Sequence, residues 1–134
     1  MQKNLFILLF IPLFYIYSCE KQTHNCPDLI QSESISNYPI DLYGVNNIEL
    51  VDHQLNINVS YGGGCEVHEF KLINIINPID GGGQQINVLH LSHNANNDGC
   101  FAEIIEHQLC FDISDIINDG SLYFSHPDSM YDLN

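Results

Sequence analysis

Residues 55–61 read L-N-I-N-V-S-Y, and this stretch decides the fold. Leu55, Ile57, Val59 and Tyr61 are apolar, while Asn56, Asn58 and Ser60 between them are polar. Successive side chains of a strand point to opposite faces, so period-two alternation marks a strand with one buried and one solvated face. Working outward, further apolar segments at 48–51, 67–75, 86–93, 101–113 and 122–125 read as strands. Turn chemistry separates them: G-G-G at 62–64, N-P-I-D-G-G-G at 77–83 and N-A-N-N-D-G at 94–99. No helical pattern of useful length intervenes. The expectation is an all-β domain over residues 38–134, a small antiparallel β-sandwich with immunoglobulin-like or barrel-like connections. The core tryptophan of immunoglobulin domains is missing, because the chain has no Trp.

The N-terminus is of a different kind. Lys3 gives a short basic n-region, and residues 5–17 are apolar apart from Pro12. As a helix those thirteen residues span only about 20 Å, short of a bilayer core of roughly 30 Å, so they fit a secretory signal over residues 1–18. The ending Ile16-Tyr17-Ser18-Cys19 resembles the lipobox of bacterial lipoproteins, with an aliphatic residue at −3, a small one at −1 and Cys at +1. Tyr17 at −2 departs from the usual small residue. The resemblance implies cleavage before Cys19 and lipidation of its thiol, each buried CH₂ of the acyl chains contributing about 0.8 kcal/mol. Residues 19–37, polar and carrying Ser32, Ser34 and Ser36, then read as the lipidated terminus and a tether.

All seventeen acidic residues follow Cys19, opposed only by Lys21 and Lys71, and the chain has no Arg. The net charge of −14 excludes nucleic acid and anionic lipid headgroups as partners, since both attractions need Lys or Arg. The expected membrane partner is therefore reached through the lipid, at the cell envelope and in the outer membrane. A protein or small-ligand partner is left open by the composition.

If the strands run alternately up and down, Cys65 and Cys100 both follow turns at one end, with His68 and His93 beside them. Two readings compete. A Cys65–Cys100 disulfide closes a loop for which chain entropy gives roughly 4 kcal/mol, in a compartment where thiols oxidise. Alternatively, Cys65, His68, His93 and Cys100 form a tetrahedral zinc site. If residues 65–68 are extended, Cys65 and His68 point to opposite faces and His68 shares the core face with Phe70 and Leu72, which favours the disulfide. Cys110 lies ten residues down its strand from Cys100, about 33 Å away. That is far beyond disulfide reach, leaving Cys26 as its partner. No cofactor is expected on this reading.

A nucleophilic pair drawn from Cys65 with His93, or Cys100 with His68, is a third reading. It needs a free thiolate and an orienting group that nothing in the sequence supplies. His90, alternating with Ile86 and Val88, reads as a partly buried strand residue. Asn94, Asn96, Asp98 and Gly99 match the first half of a calcium loop, yet Ile105 stands where the bidentate Glu is required. The motifs G-G-C-x-x-H-x-F at 63–70, H-N-A-N-x-D-x-C at 93–100 and L-x-F-D-I-S at 109–114 are similar to those of small envelope lipoproteins of Bacteroidota, over about residues 46–114. That resemblance implies a secreted, membrane-tethered β domain with Cys65 and Cys100 among its shared positions, and no particular activity. The sequence thus predicts a non-enzymatic lipoprotein presenting a disulfide-stapled β domain, in a binding or structural role.

Overall fold

In the computed structural model, which describes residues 25–77, 83, 85–100 and 103–134, the alternating stretch forms the middle of β3 (Gln54–Gly63). Leu55, Ile57 and Val59 are fully buried, and Asn56, Asn58 and Ser60 line the other face. β3 is the centre of a three-stranded antiparallel sheet, between β2 (Gly44–Val51) and β6 (Glu103–Asp112). The β2–β3 hairpin turns on Asp52, whose φ of 56° is a left-handed conformation that a short polar side chain tolerates.

Packed against this sheet is a five-stranded one, ordered β1 (Ile30–Ser32), β4 (Glu69–Asn77), β5 (Ile86–Asn94), β7 (Ser121–His126) and β8 (Ser129–Asp132). A 3₁₀ turn, Ile35–Asn37, is capped by the Ser34 hydroxyl. Leu72, Leu89, Leu91, Leu122 and Phe124 meet Leu55, Ile57, Val59 and Phe111 between the sheets. Burying each such side chain contributes about 1.5–3 kcal/mol, which is what holds two half-apolar sheets face to face.

The chain is an all-β sandwich whose direction alternates as expected, but the pairing does not follow chain order. β3 and β4 lie in different sheets, as do β5 and β6. The sandwich is antiparallel except at two pairs, β1 with β4 and β5 with β7, which are parallel. Residues 26–37, read above as part of the tether, are built into the domain: β1 extends the sheet at Ile73–Ile75, and Asp112 N–H donates to Pro27 O at 3.0 Å. Cys19 and the rest of the signal and tether lie outside the described residues.

At the lower end of the sandwich, where β3 begins, Cys26 is bonded to Cys110 with Cα atoms 5.2 Å apart. At the upper end, where β3 finishes and β4 starts, Cys65 is bonded to Cys100 with Cα atoms 5.8 Å apart. The unreduced chain should therefore weigh about 4 Da less than the reduced one, measured as intact mass. Replacing Cys26 and Cys110 by Ser should cost about 4–5 kcal/mol in denaturant melts, and replacing Cys65 and Cys100 about 4, since the first pair closes the longer loop.

A buried histidine–aspartate chain and a break in the sheet

The upper end is organised by one carboxylate. Asp98, in the turn between β5 and β6, points inward rather than to solvent. Its Oδ2 accepts from the consecutive backbone N–H groups of Gly64, Cys65 and Glu66 at 2.9, 3.1 and 3.2 Å. Its Oδ1 accepts from Cys100 N–H at 2.8 Å. Three successive N–H groups converging on one oxygen form an anion nest, here filled by the protein's own side chain. The carboxyl is held far below the ordinary range, chiefly by the Cys100 N–H, with Glu66 N–H, His68 and Cys65 N–H adding to it against the opposing effect of burial.

From Asp98 the contacts continue inward. His68 Nε2 lies 3.2 Å from Asp98 Oδ2, and both side chains are 1% exposed. His68 Nδ1 lies 2.8 Å from His93 Nε2, and His93 Nδ1 lies 3.1 Å from the Asp41 carbonyl. The two ends of this chain are oxygens that only accept, so His93 Nδ1 and His68 Nε2 must both carry hydrogen. Burial, reinforced by the neighbouring His68, pushes His93 below the usual imidazole value. Tyr61 stacks on His68 at 4.4 Å between centroids, and Phe70 stacks on His93 at 4.4 Å.

Gly63 makes this arrangement possible. A Cβ there would meet His68 Nε2 at 2.8 Å and Asp98 Oδ2 at 2.9 Å. Gly63 therefore ends β3 where no side chain fits, and Cys65 two residues on is half of a staple. Asn96 and Asn97 adopt left-handed φ of 51° and 58°, and the Asn96 amide donates to Val67 O at 2.6 Å. The calcium-like pattern in this loop is consumed by its own backbone: Asn94 Oδ1 accepts from Asn96 N–H at 3.0 Å.

The four residues of the alternative zinc site do not form one ligand group among the described residues: Cys65 and Cys100 gather with Asp98, without either histidine. The sulfurs of Cys65 and Cys100 are joined to each other, so in this oxidised form neither is the thiolate that zinc or a nucleophilic pair requires. The facing nitrogens of His68 and His93 bind one another. Asp98, which the sequence reading placed in the half-matched calcium loop, has a carboxylate oxygen within 4.8 Å of both sulfurs. Its only sequence signal is the spacing D-x-C at 98–100.

A second feature lies beside His93. β5 pairs with β7 as far as His90 and Ser125, and then takes a new partner: His93 N–H donates to Pro39 O at 3.1 Å and Asp41 N–H to His93 O at 2.9 Å. Between the two partners the sheet is broken. The Tyr43 hydroxyl donates to Leu91 O at 3.2 Å across the gap, and burial pushes that phenol up to about 12. His126 Nε2–H donates to Tyr43 O at 3.3 Å. A cavity of about 250 Å³ opens there, lined by Ile35, Ile40, Leu42, Tyr43, His90 and His126, with Asp41 and Asp128 beside them. His90, expected as a partly buried strand residue, is one wall, and burial lowers its imidazole below the ordinary value. Sequence reasoning did not find this site, because its walls come from three separate segments.

No family model and no curated relative matches the chain. Solved structures do. A Bacteroides vulgatus protein of unknown function aligns over 81% of this chain and 57% of its own, with TM-score 0.57 at 11% identity. A NigD-like immunity protein from Bacteroides caccae aligns over 81% and 64%, with TM-score 0.57 at 14% identity. A Parabacteroides distasonis protein described as toxin-related aligns over 79% and 60%, with TM-score 0.54 at 24% identity. The chain spans about three fifths of the length of these proteins, and the likeness is one of fold. Fold and site together define a disulfide-stapled β-sandwich with a buried histidine–aspartate chain and an apolar opening in its larger sheet.

Replacing Gly63 by Ala should cost about 1–3 kcal/mol in denaturant melts, through forced displacement of His68 and Asp98. The pH dependence has a defined sign. Asp98 is a stronger acid folded than unfolded, so its contribution is complete above the ordinary carboxylate value of about 4 and is lost as the pH falls further. His93 acts in the same direction just below about 6.5, where the unfolded chain binds a proton that the buried ring resists. Thermal melts from pH 7 to 3 should show falling stability, and Asp98→Asn should be less stable at pH 7 with a shallower loss below pH 4.

Proposed function

We propose that the chain is a lipid-anchored cell-envelope protein that presents this domain for non-catalytic binding. The observation that carries the reading is the Cys26–Cys110 bridge. It fixes the chain to the lower end of the sandwich only seven residues after Cys19, level with Asn56 at the start of β3. A disulfide at that point makes the domain a rigid unit from its first turn. The opening in the five-stranded sheet lies toward the other end, beside the finish of β7. An anchor at one end and an apolar opening toward the other is the arrangement a displayed binding module needs.

Chemistry supports binding over catalysis. The upper histidines and Asp98 are spent on one another, and both nearby sulfurs are oxidised. Among the described residues Lys71 is the single Lys or Arg, so attraction to anionic headgroups is weak and lipid on Cys19 would supply the attachment.

The test is metabolic labelling of the full-length chain with an alkyne fatty acid in a diderm bacterial host. Label should be incorporated into the wild type, be lost in Cys19→Ala, and co-fractionate with membranes. A wild-type chain that is exported, cleaved and unlabelled overturns the anchor.

A further inference from the structure

We propose that the break in the five-stranded sheet is a docking site for a cationic protein segment that inserts an apolar side chain. The proposal rests on the binding reading above and gives it a partner chemistry.

The opening has the size and lining for such an anchor. Its volume of about 250 Å³ exceeds the roughly 150 Å³ of a cavity that accepts benzene. The mouth is flanked by Ile40 and Leu42, which are 72% and 91% exposed, the second with nearly its whole side chain in water. Two large aliphatic residues left exposed beside an apolar cavity form a collar that an inserted side chain would cover. The walls are also fixed in place. Tyr43 is held by Leu91 O, His126 by Tyr43 O, and Asp41 by His93 and by Ala95 N–H, which its carboxylate accepts at 2.7 Å. A preformed opening spares a partner the cost of ordering it.

Charge complementarity selects the occupant. The chain carries −14, and Asp128 sits on the lining with a carboxylate that makes no hydrogen bond among the described residues. A second copy of this chain brings the same negative charge to the mouth and is repelled. A neutral apolar molecule would fill the cavity and leave the field unused. A segment with Lys or Arg on either side of a Leu or Phe satisfies both, its apolar side chain in the gap and its cations facing Asp128 and the surrounding field.

The experiment uses the full-length chain in a non-ionic detergent and the hexapeptide Lys-Lys-Leu-Phe-Lys-Lys as probe. Saturable binding is read by fluorescence anisotropy, and its location by amide shifts. The expected result is binding that perturbs Leu42, Tyr43, His90 and Ser125. It should weaken about tenfold or more when Leu-Phe in the probe becomes Gly-Gly, and likewise in Leu42→Ser. Asp128→Lys and Glu49→Lys change the net charge equally, but Glu49 lies on β2 in the other sheet. Loss confined to Asp128→Lys supports the site. Equal loss in both variants means a diffuse field and overturns it, as does tighter binding of the Gly-Gly peptide, self-association of the chain through this face, or no saturable binding. Fatty-acid labelling of the same preparation separates the two readings: a labelled chain that ignores the peptide overturns the docking site alone.

Discussion

Everything at the upper end of this domain depends on where the Asp98 carboxylate sits. Four backbone N–H groups and one imidazole point at it, drawn from the turn after β3 and from its own turn. The Cys65–Cys100 bond joins the same two loops covalently, so the carboxylate and the disulfide restrain one geometry by independent means. The carboxylate is hydrogen-bonded to His68, and His68 in turn to His93. Their hydrogen bonds reach Asp41, and Asp41 places the 39–43 segment against β5. That placement creates the break in the sheet. A charge buried at one edge thus determines the shape of an opening on another.

A buried ion pair is weak evidence of net stability, because desolvation of both partners offsets much of their attraction. Here its value is specificity. An apolar substitute for His68 and Asp98 could fill the space, but it would leave the N–H groups of Gly64, Cys65 and Glu66 without an acceptor. The carboxylate with its N–H donors thus defines one geometry for the two loops.

How much of this was legible follows from the range of each signal. The alternation at 55–61 is local, and it read correctly because burial of one face imposes period two on the sequence. The meeting of Cys65 with Cys100 was legible because it needs only the direction of each strand, which turn residues set. Pairing partners were not legible, since sheet membership depends on which faces meet across the core. β1 and β8 are too short to carry a pattern, at three and four residues. Asn74 and Asn87 are polar side chains within strands, yet both are fully buried, the Asn74 amide donating to Asn87 Oδ1 at 2.9 Å. Asp98 was hidden for the same reason: an acidic residue in an Asn- and Gly-rich turn looks solvated, and only the tertiary nest shows otherwise.

The division of labour between the histidines completes the account. His68 and His93 are sealed behind Tyr61 and Phe70 and serve the loops, while His90 and His126 stand at the sheet break. Tyr43 touches both groups, its ring centroid 5.8 Å from that of His93 and 5.2 Å from that of His126. Tyr43 thus packs between the histidine–aspartate chain and the opening, and its hydroxyl is tied to Leu91 O. A fixed opening is what a surface of high negative charge needs, because an opening that flexed would let water, not a partner's side chain, compete for its apolar walls.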